Sequence, residues 1–206
     1  MAGRPQMTAA TETGSRAGEP ALPRIYLAGP DVFLPDPIAA GRAKADRAKS
    51  FGLEGVFPLD ASLDLDGLAR EEQARRIALA NEALMRSCDA AVINACPFRG
   101  VSMDSGTAFE VGFMRALGRP VVGYTHTAEP FADRSQTLRS AGPDLAFDYD
   151  TPALAIEDFG LPENLMITVA MSESGLPMVT GTRRETNGII AGEAFDACLA
   201  WLASIL

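Results

Sequence analysis

Short apolar runs that stop at glycine or proline alternate with longer amphipathic stretches along most of this chain, and that alternation restricts the folds open to it. Arg24–Ala28 (RIYLA) is a brief apolar run ended by Gly29-Pro30, the pattern of a strand entering a turn. Residues 37–51 place Ile38, Ala45, Ala48 and Phe51 among Arg and Lys and stop at Gly52, which predicts an amphipathic helix. Residues 53–59 read as a second strand and 60–67 as a polar loop. Residues 68–87 predict a long helix with Ile77, Ala80 and Leu84 on one face. Residues 89–94 (DAAVIN) predict a buried third strand, followed by a loop over 95–103, a helix over 105–117 and a fourth strand over 120–124. The stretch 126–158 is polar and irregular, which suggests a long lid-like loop. Residues 161–172 form a helix candidate and 176–179 a candidate fifth strand. Residues 186–206 predict a final helix with Phe195, Leu199 and Trp201 turned inward. Strands separated by helical crossovers must lie parallel, so the expected class is α/β, a doubly wound sheet of about five parallel strands flanked by helices.

The chain has 206 residues, 47% of them apolar and 22% charged, an ordinary globular balance for a single domain. Residues 1–23 are the exception. They are rich in Gly, Ala, Thr and Pro without periodicity and read as a flexible leader before a single domain over 24–206. A net charge of -9 argues against nucleic acid or an anionic membrane as partner, since both require a basic face. Three cysteines and one histidine are too few for a four-ligand Cys/His metal site, and neither a metal nor a cofactor is expected. The cysteines form no closely spaced paired framework, which fits a reducing cytoplasm. No apolar run nears the roughly 20 residues of a membrane span. Residues 1–20 also lack the apolar core of a secretory signal.

In an open parallel sheet of this flavodoxin- or Rossmann-like kind, ligands sit outside the carboxyl ends of the strands. The residues placed there are Gly29 to Phe33 after the first strand, and Cys96 to Asp104 after the third. Asp104 can be read simply as the N-cap of the helix that follows. Glu110 resists so plain a reading: it lies between Phe109 and Val111 in a small, apolar helix expected to be largely buried, where an unpaired carboxylate is costly. Asp104 and Glu110 are six residues apart, close to two helical turns, and should project from similar sides. Two carboxylates over one pocket suit glycosyl transfer, one attacking the anomeric carbon and the other managing protons or holding the sugar.

Several segments in order carry a family likeness: residues 25–30 (IYLAGP), 81–94 (NEALMRSCDAAVIN), 97–100 (PFRG), 104–112 (DSGTAFEVG) and 163–166 (ENLM). With these the chain resembles the nucleoside 2-deoxyribosyltransferases. The resemblance implies that Glu110 is the nucleophile, forming a covalent deoxyribosyl-enzyme, and that Asp104 is a second acidic residue near the sugar hydroxyl and base. It implies that Tyr26 orients the nucleophilic carboxylate and that Phe33 lines the base pocket. It places Gly29 and Gly106 against the substrate too. Asn164 and Met166 match a segment lent to the active site by a neighbouring subunit, so a homo-oligomer with shared sites is expected. Asn81 stands where some members carry an aspartate that helps protonate the leaving base, and an amide cannot serve as that acid. The partners implied are 2'-deoxynucleosides and free nucleobases.

Other residues invite weaker readings. Asp89 opens the third strand on the far edge, a structural position. His126 suits a solvated loop histidine, Cys96 a small packing residue, and Arg99 either an anion ligand or a surface ion-pair partner. Relatives of the same fold hydrolyse deoxynucleoside 5'-monophosphates through a Gly/Ser/Arg-rich turn after the first strand. Here that turn is Gly29-Pro30-Asp31, whose proline lacks an N–H and whose carboxylate would repel phosphate, favouring an unphosphorylated nucleoside. A non-catalytic nucleotide-binding module is the remaining alternative on this fold.

Overall fold

The computed structural model describes residues 21–60, 63–141, 155–181 and 192–206. Most of the leader expected over 1–23 therefore lies outside the described residues, as do 142–154 of the expected loop and 186–191 of the expected last helix. Five strands, β1 (Arg24–Ala28), β2 (Glu54–Val56), β3 (Ala90–Asn94), β4 (Val121–Thr125) and β5 (Val179–Thr180), form one sheet in the order β2-β1-β3-β4-β5. Every pairing is parallel, with Tyr26 opposite Ala91 and Val56, and Ile93 opposite Gly123. The expected α/β class holds.

Side-chain alternation along the strands divides the core into two layers. Ile25, Leu27, Val92, Val122 and Tyr124 face one way, against Ala48 of helix α1 (Pro37–Lys49) and Phe195, Leu199 and Leu202 of helix α6 (Glu193–Ile205). Tyr26, Ala28, Ala91, Ile93 and Val121 face the other way. They meet Met85 of α2 (Arg70–Arg86), Val111 and Met114 of α3 (Ser105–Ala116), and Met171 of α5 (Leu165–Ser172). Helices thus cover both faces, as a doubly wound sheet requires. The strand order reverses between β1 and β3, and the crevice outside their carboxyl ends is where such sheets bind ligands.

Several local expectations are corrected. Only Glu54–Val56 of 53–59 is strand, because a 3-10 turn at Pro58–Asp60 takes the chain off the sheet edge. The stretch 126–158 is not wholly irregular, since it contains helix α4 (Phe131–Ser140). Helix α5 starts at Leu165 rather than 161, with Asn164 as its cap, and the fifth strand is Val179–Thr180. The inward face of α1 is Ala40, Gly41, Lys44 and Ala48, while Ile38 is exposed. Met85 is the buried side chain of α2, and Ile77 is exposed, because α2 meets the sheet through its last turns. Among the described residues, no helix is long and apolar enough to cross a membrane.

Lys44 on the inward face is explained by its partners. Its Nζ donates to Asp31 Oδ2 at 2.5 Å and to Tyr124 Oη at 3.0 Å, and lies 5.7 Å from the ring centres of Tyr124 and Phe195. Asn94 Nδ2 adds a bond of 3.1 Å to the same Asp31 oxygen. The group pins the turn after β1 to α1, β3 and β4. Gly29 is part of this construction: its φ is 153°, and a Cβ there would fall 2.6 Å from Asn94 Cβ and 2.8 Å from Asp31 Oδ2. Burial pushes the Lys44 amine below its ordinary value, and the Asp31 charge opposes that change.

Removing one member of a buried ion pair strands the other charge. Lys44→Met is therefore expected to cost about 3–5 kcal/mol in chemical denaturation, and Lys44→Met combined with Asp31→Asn to recover most of that loss. Equal losses in the single and double variants would show that the pair does not hold the turn.

Candidate active site

Tyr26 is the contribution of β1 to the crevice. It is fully buried on the α2/α3/α5 side, and its Oη donates to Glu110 Oε1 at 2.6 Å. The other oxygen, Oε2, receives no hydrogen bond from the described residues. Burial raises the Glu110 carboxyl from the ordinary 4.5 to about 7, the Tyr26 bond opposes that rise, and the nearby Asp104 charge adds to it. Burial, together with the Glu110 charge, drives the Tyr26 phenol far above its usual range, so it stays a proton donor. The result is a carboxylate held at one oxygen, half-sheltered from water and poised to ionise near neutral pH.

Asp104 caps α3. Its Oδ2 accepts from Thr107 N at 2.9 Å and Thr107 Oγ1 at 3.1 Å. It therefore stands outside the helix, and the six-residue spacing to Glu110 does not measure two helical turns as expected. The two carboxylates are coupled by charge instead. Gly106 leaves room for this cap, since a Cβ there would lie 3.1 Å from Asp104 Oδ2. The expectation that α3 is largely buried also fails: Phe109 is 58% exposed, and only Thr107, Val111 and Met114 are buried. A helix lying on one face of a sheet buries a single stripe, and Phe109 points off that stripe toward open space.

The loops after β1 and β3 meet through aromatic rings. Phe33 stacks on Phe98 with centroids 5.2 Å apart, and the Arg99 guanidinium lies 4.9 Å from the first ring and 4.5 Å from the second. Arg99 forms no ion pair among the described residues but lies against both rings, and its φ of 55° places it in the left-handed region. Phe33 is 54% exposed, leaving ring surface available to a planar ligand.

Asp31, read from sequence as an anion that would repel phosphate, is buried against Lys44, whose charge offsets its own. What remains of that argument is Pro30, which has no N–H to offer. Asn81 is half-buried on α2, which packs on α3. Asn164 caps α5, accepting from Met166 N at 3.0 Å and donating to Glu157 at 2.8 Å, and Met166 projects outward at 72% exposure. Glu163, in the ENLM segment that carries the family likeness, is fully buried in an ion pair with Arg134. His126 is half-buried with its ring 5.6 Å from that of Tyr124, not a solvated loop residue. Burial raises the Cys96 thiol, consistent with packing. Asp89 accepts from Arg24 N at 2.9 Å at the opposite sheet edge, a structural contact. Among the described residues, no cluster of three or more His, Cys, Asp or Glu could hold a metal ion.

Sequence reasoning missed Lys44, Arg134 and Glu163. Lys44 had a readable signal, because it continues the 40, 44, 48 row with Ala40 and Ala48. Arg134 lies on α4 in a stretch that reads as an irregular loop, and Glu163 was legible only as part of the ENLM segment that carries the family likeness.

Comparison with known proteins adds to this geometry. The family described as nucleoside 2-deoxyribosyltransferase matches residues 25–166. An uncharacterized protein of Schizosaccharomyces pombe is 33% identical over 120 residues, 57% of this chain and 57% of that protein's length. The solved structure of a 2-desoxiribosyltransferase from Leishmania mexicana is 26% identical, covers 88% of this chain and 97% of its own, and superposes with a TM-score of 0.60. A conserved protein from Enterococcus faecalis V583, 20% identical over 90% of this chain and 100% of its own, shares the fold at a TM-score of 0.54.

The raised Glu110 value carries a stability consequence. A carboxyl whose folded value lies above its unfolded one stabilises the fold at acid pH, and that contribution is lost as pH rises through about 7. Glu110→Gln removes the buried charge. It is expected to gain roughly 1–2 kcal/mol on the parent between pH 5 and 8 in thermal unfolding, with little difference at pH 4. A pH-independent difference would show that Glu110 ionises as an ordinary surface carboxyl.

Proposed function

The chain belongs to the nucleoside 2-deoxyribosyltransferase family, and from that premise we propose that it moves a 2-deoxyribosyl group between nucleobases by double displacement at Glu110. The observation that carries this reading is the 2.6 Å bond from Tyr26 Oη to Glu110 Oε1. It orients the carboxylate while leaving Oε2 to attack C1' of a bound 2'-deoxynucleoside. The C1'–N bond breaks as the C1'–O bond forms, and the departing base takes a proton from water at Asp104, because Asn81 cannot supply one. A second base then attacks the glycosyl carboxylate from the face the first base left, giving net retention.

Transfer competes with hydrolysis, so water must be kept from the intermediate. Met103, Phe33 and Phe109 supply apolar cover on this chain, and Met166 of a second copy supplies the rest. A 2'-hydroxyl would withdraw electrons from the oxocarbenium-like transition state and crowd the site, which favours deoxyribose. Because attack needs ionised Glu110, activity should climb with pH until the group at about 7 has titrated.

Incubation of deoxyinosine with adenine, followed by chromatography, is expected to yield deoxyadenosine and hypoxanthine, with kcat/KM rising about tenfold per pH unit below neutrality and levelling above it. Glu110→Ala should lower the rate by at least about 1,000-fold in a folded protein. Free deoxyribose without exchange would favour the hydrolase alternative, and full activity in Glu110→Ala would remove Glu110 as nucleophile.

The reading also includes a homo-oligomer with shared sites, supported by the outward Met166 and by Phe159, 68% exposed nearby in sequence. Co-expressing inactive Glu110→Ala with inactive Asn164→Ala should then restore roughly a quarter of wild-type activity in a randomly mixed dimer. No recovery would assign each site to a single chain.

A further inference from the structure

Glu163 and Arg134 form a buried charged pair that the proposed reaction does not use. The Glu163 carboxylate is fully buried and gathers four donors. Ser102 Oγ at 2.7 Å and Asn164 N at 3.0 Å reach Oε1, and Met103 N at 3.0 Å and Arg134 Nη2 at 3.4 Å reach Oε2. Arg134, 8% exposed, spends its other donors on backbone carbonyls: Val101 at 2.8 Å, Pro162 at 2.9 Å, and Glu129. Val101, Ser102 and Met103 are the three residues leading into Asp104, so this stretch hangs from one carboxylate–guanidinium pair. Downstream, Asp104 is caught by Thr107 N and Oγ1. The chain entering Asp104 is thus held upstream and its carboxylate downstream.

A buried ion pair is a poor way to gain stability, because desolvation offsets most of the attraction. What such a pair does supply is directional, charge-assisted bonds that admit one geometry. We propose that Glu163, with Arg134, is a positioning residue that holds Asp104 at its working distance from Glu110. The proposal rests on the reading of Glu110 as the reacting carboxylate. It also links two segments distant in sequence, since Asn164 next to Glu163 caps the helix that carries Met166.

The arrangement has a signature that ordinary structural support would lack. Glu110 is acted on by Tyr26 of β1, which favours its ionised form, and by Asp104, whose charge disfavours it. Helix α5, packed on α3, has no ionisable side chain. On α2, also packed there, Glu82 and Arg86 pair at 4.0 Å and Arg86 lies 4.8 Å from the Phe113 ring centre. Freeing the 101–103 loop lets Asp104 swing toward water, so Glu110 should ionise at lower pH.

The test is Glu163→Gln, which keeps size but turns an amide donor toward Met103 N–H and Arg134. Titration of the Glu110 carboxyl by carbon-13 NMR, assigned by its absence in Glu110→Gln, should show a midpoint lower by about half a pH unit or more. In the exchange assay kcat should fall about 10- to 100-fold while KM changes by less than about threefold. The double variant Glu163→Leu with Arg134→Met should regain stability without regaining the wild-type midpoint or rate. A folded Glu163→Gln with wild-type midpoint and kcat overturns the proposal, as does a double variant that recovers full activity along with stability. If Glu163→Gln does not fold, Ser102→Ala removes a single donor and should move the midpoint the same way by less; an unmoved midpoint again overturns it. The NMR midpoint needs no turnover, so a shift in a protein that fails to exchange bases would sink the transferase reading and leave the positioning role standing.

Discussion

One hydrogen bond between a strand and a helix organises the crevice. Tyr26 is the third residue of the five-residue β1, and its hydroxyl reaches Glu110 in the second turn of α3. For that to happen, Tyr26 must face the α2/α3/α5 side, which sends Ile25 and Leu27 to the other layer and fixes which helices cover which face. A shift of one residue in the strand register would send a leucine or isoleucine to Glu110 and bury the tyrosine hydroxyl among α1 and α6 side chains. The parallel pairing of β1 with β2 and β3 prevents it.

The rest of the crevice is held by charges placed out of solvent. Lys44 and Asp31 lock the loop after β1, and Arg134 and Glu163 lock the loop after β3. These are the two loops that flank the point where strand order reverses. Beside the packing of Val32, Ala95 and Met103, directional bonds to these buried ions set the shape of both loops. The aromatic contact of Phe33 with Phe98 closes the remaining gap between them. Loops held in this way suit the proposed exchange, which must exclude water while still admitting a second base.

Much of this was legible in the sequence. The alternation of apolar runs and amphipathic stretches gave the strand and helix order, because a strand buried on both faces must be apolar throughout, as in AAVIN. Glu110 stood out as a carboxylate in an apolar helix, and the tyrosine in the first strand was singled out only by the family resemblance. Where the reading failed, long-range pairing was the reason. Lys44 looks like a surface lysine until Asp31 folds back to meet it, and Asp31 reads as a repelling charge for the same cause. Glu163 lies 60 residues from the Met103 N–H it accepts from, and nothing local announces that partnership. Phe109 looked buried because the helix around it is apolar, yet it points away from the sheet and stays exposed.

The central claim is that a tyrosine-held carboxylate on α3 takes the sugar. The most direct measurement is the crystal structure of the protein after reaction with a 2'-fluoro-2'-deoxynucleoside, whose fluorine slows breakdown of a glycosyl-enzyme. The account predicts continuous density from C1' to Oε2 of Glu110, with Tyr26 still donating to Oε1 and the base gone. Sugar attached to any other side chain, or an intact nucleoside beside an unmodified Glu110 after prolonged incubation, would contradict it.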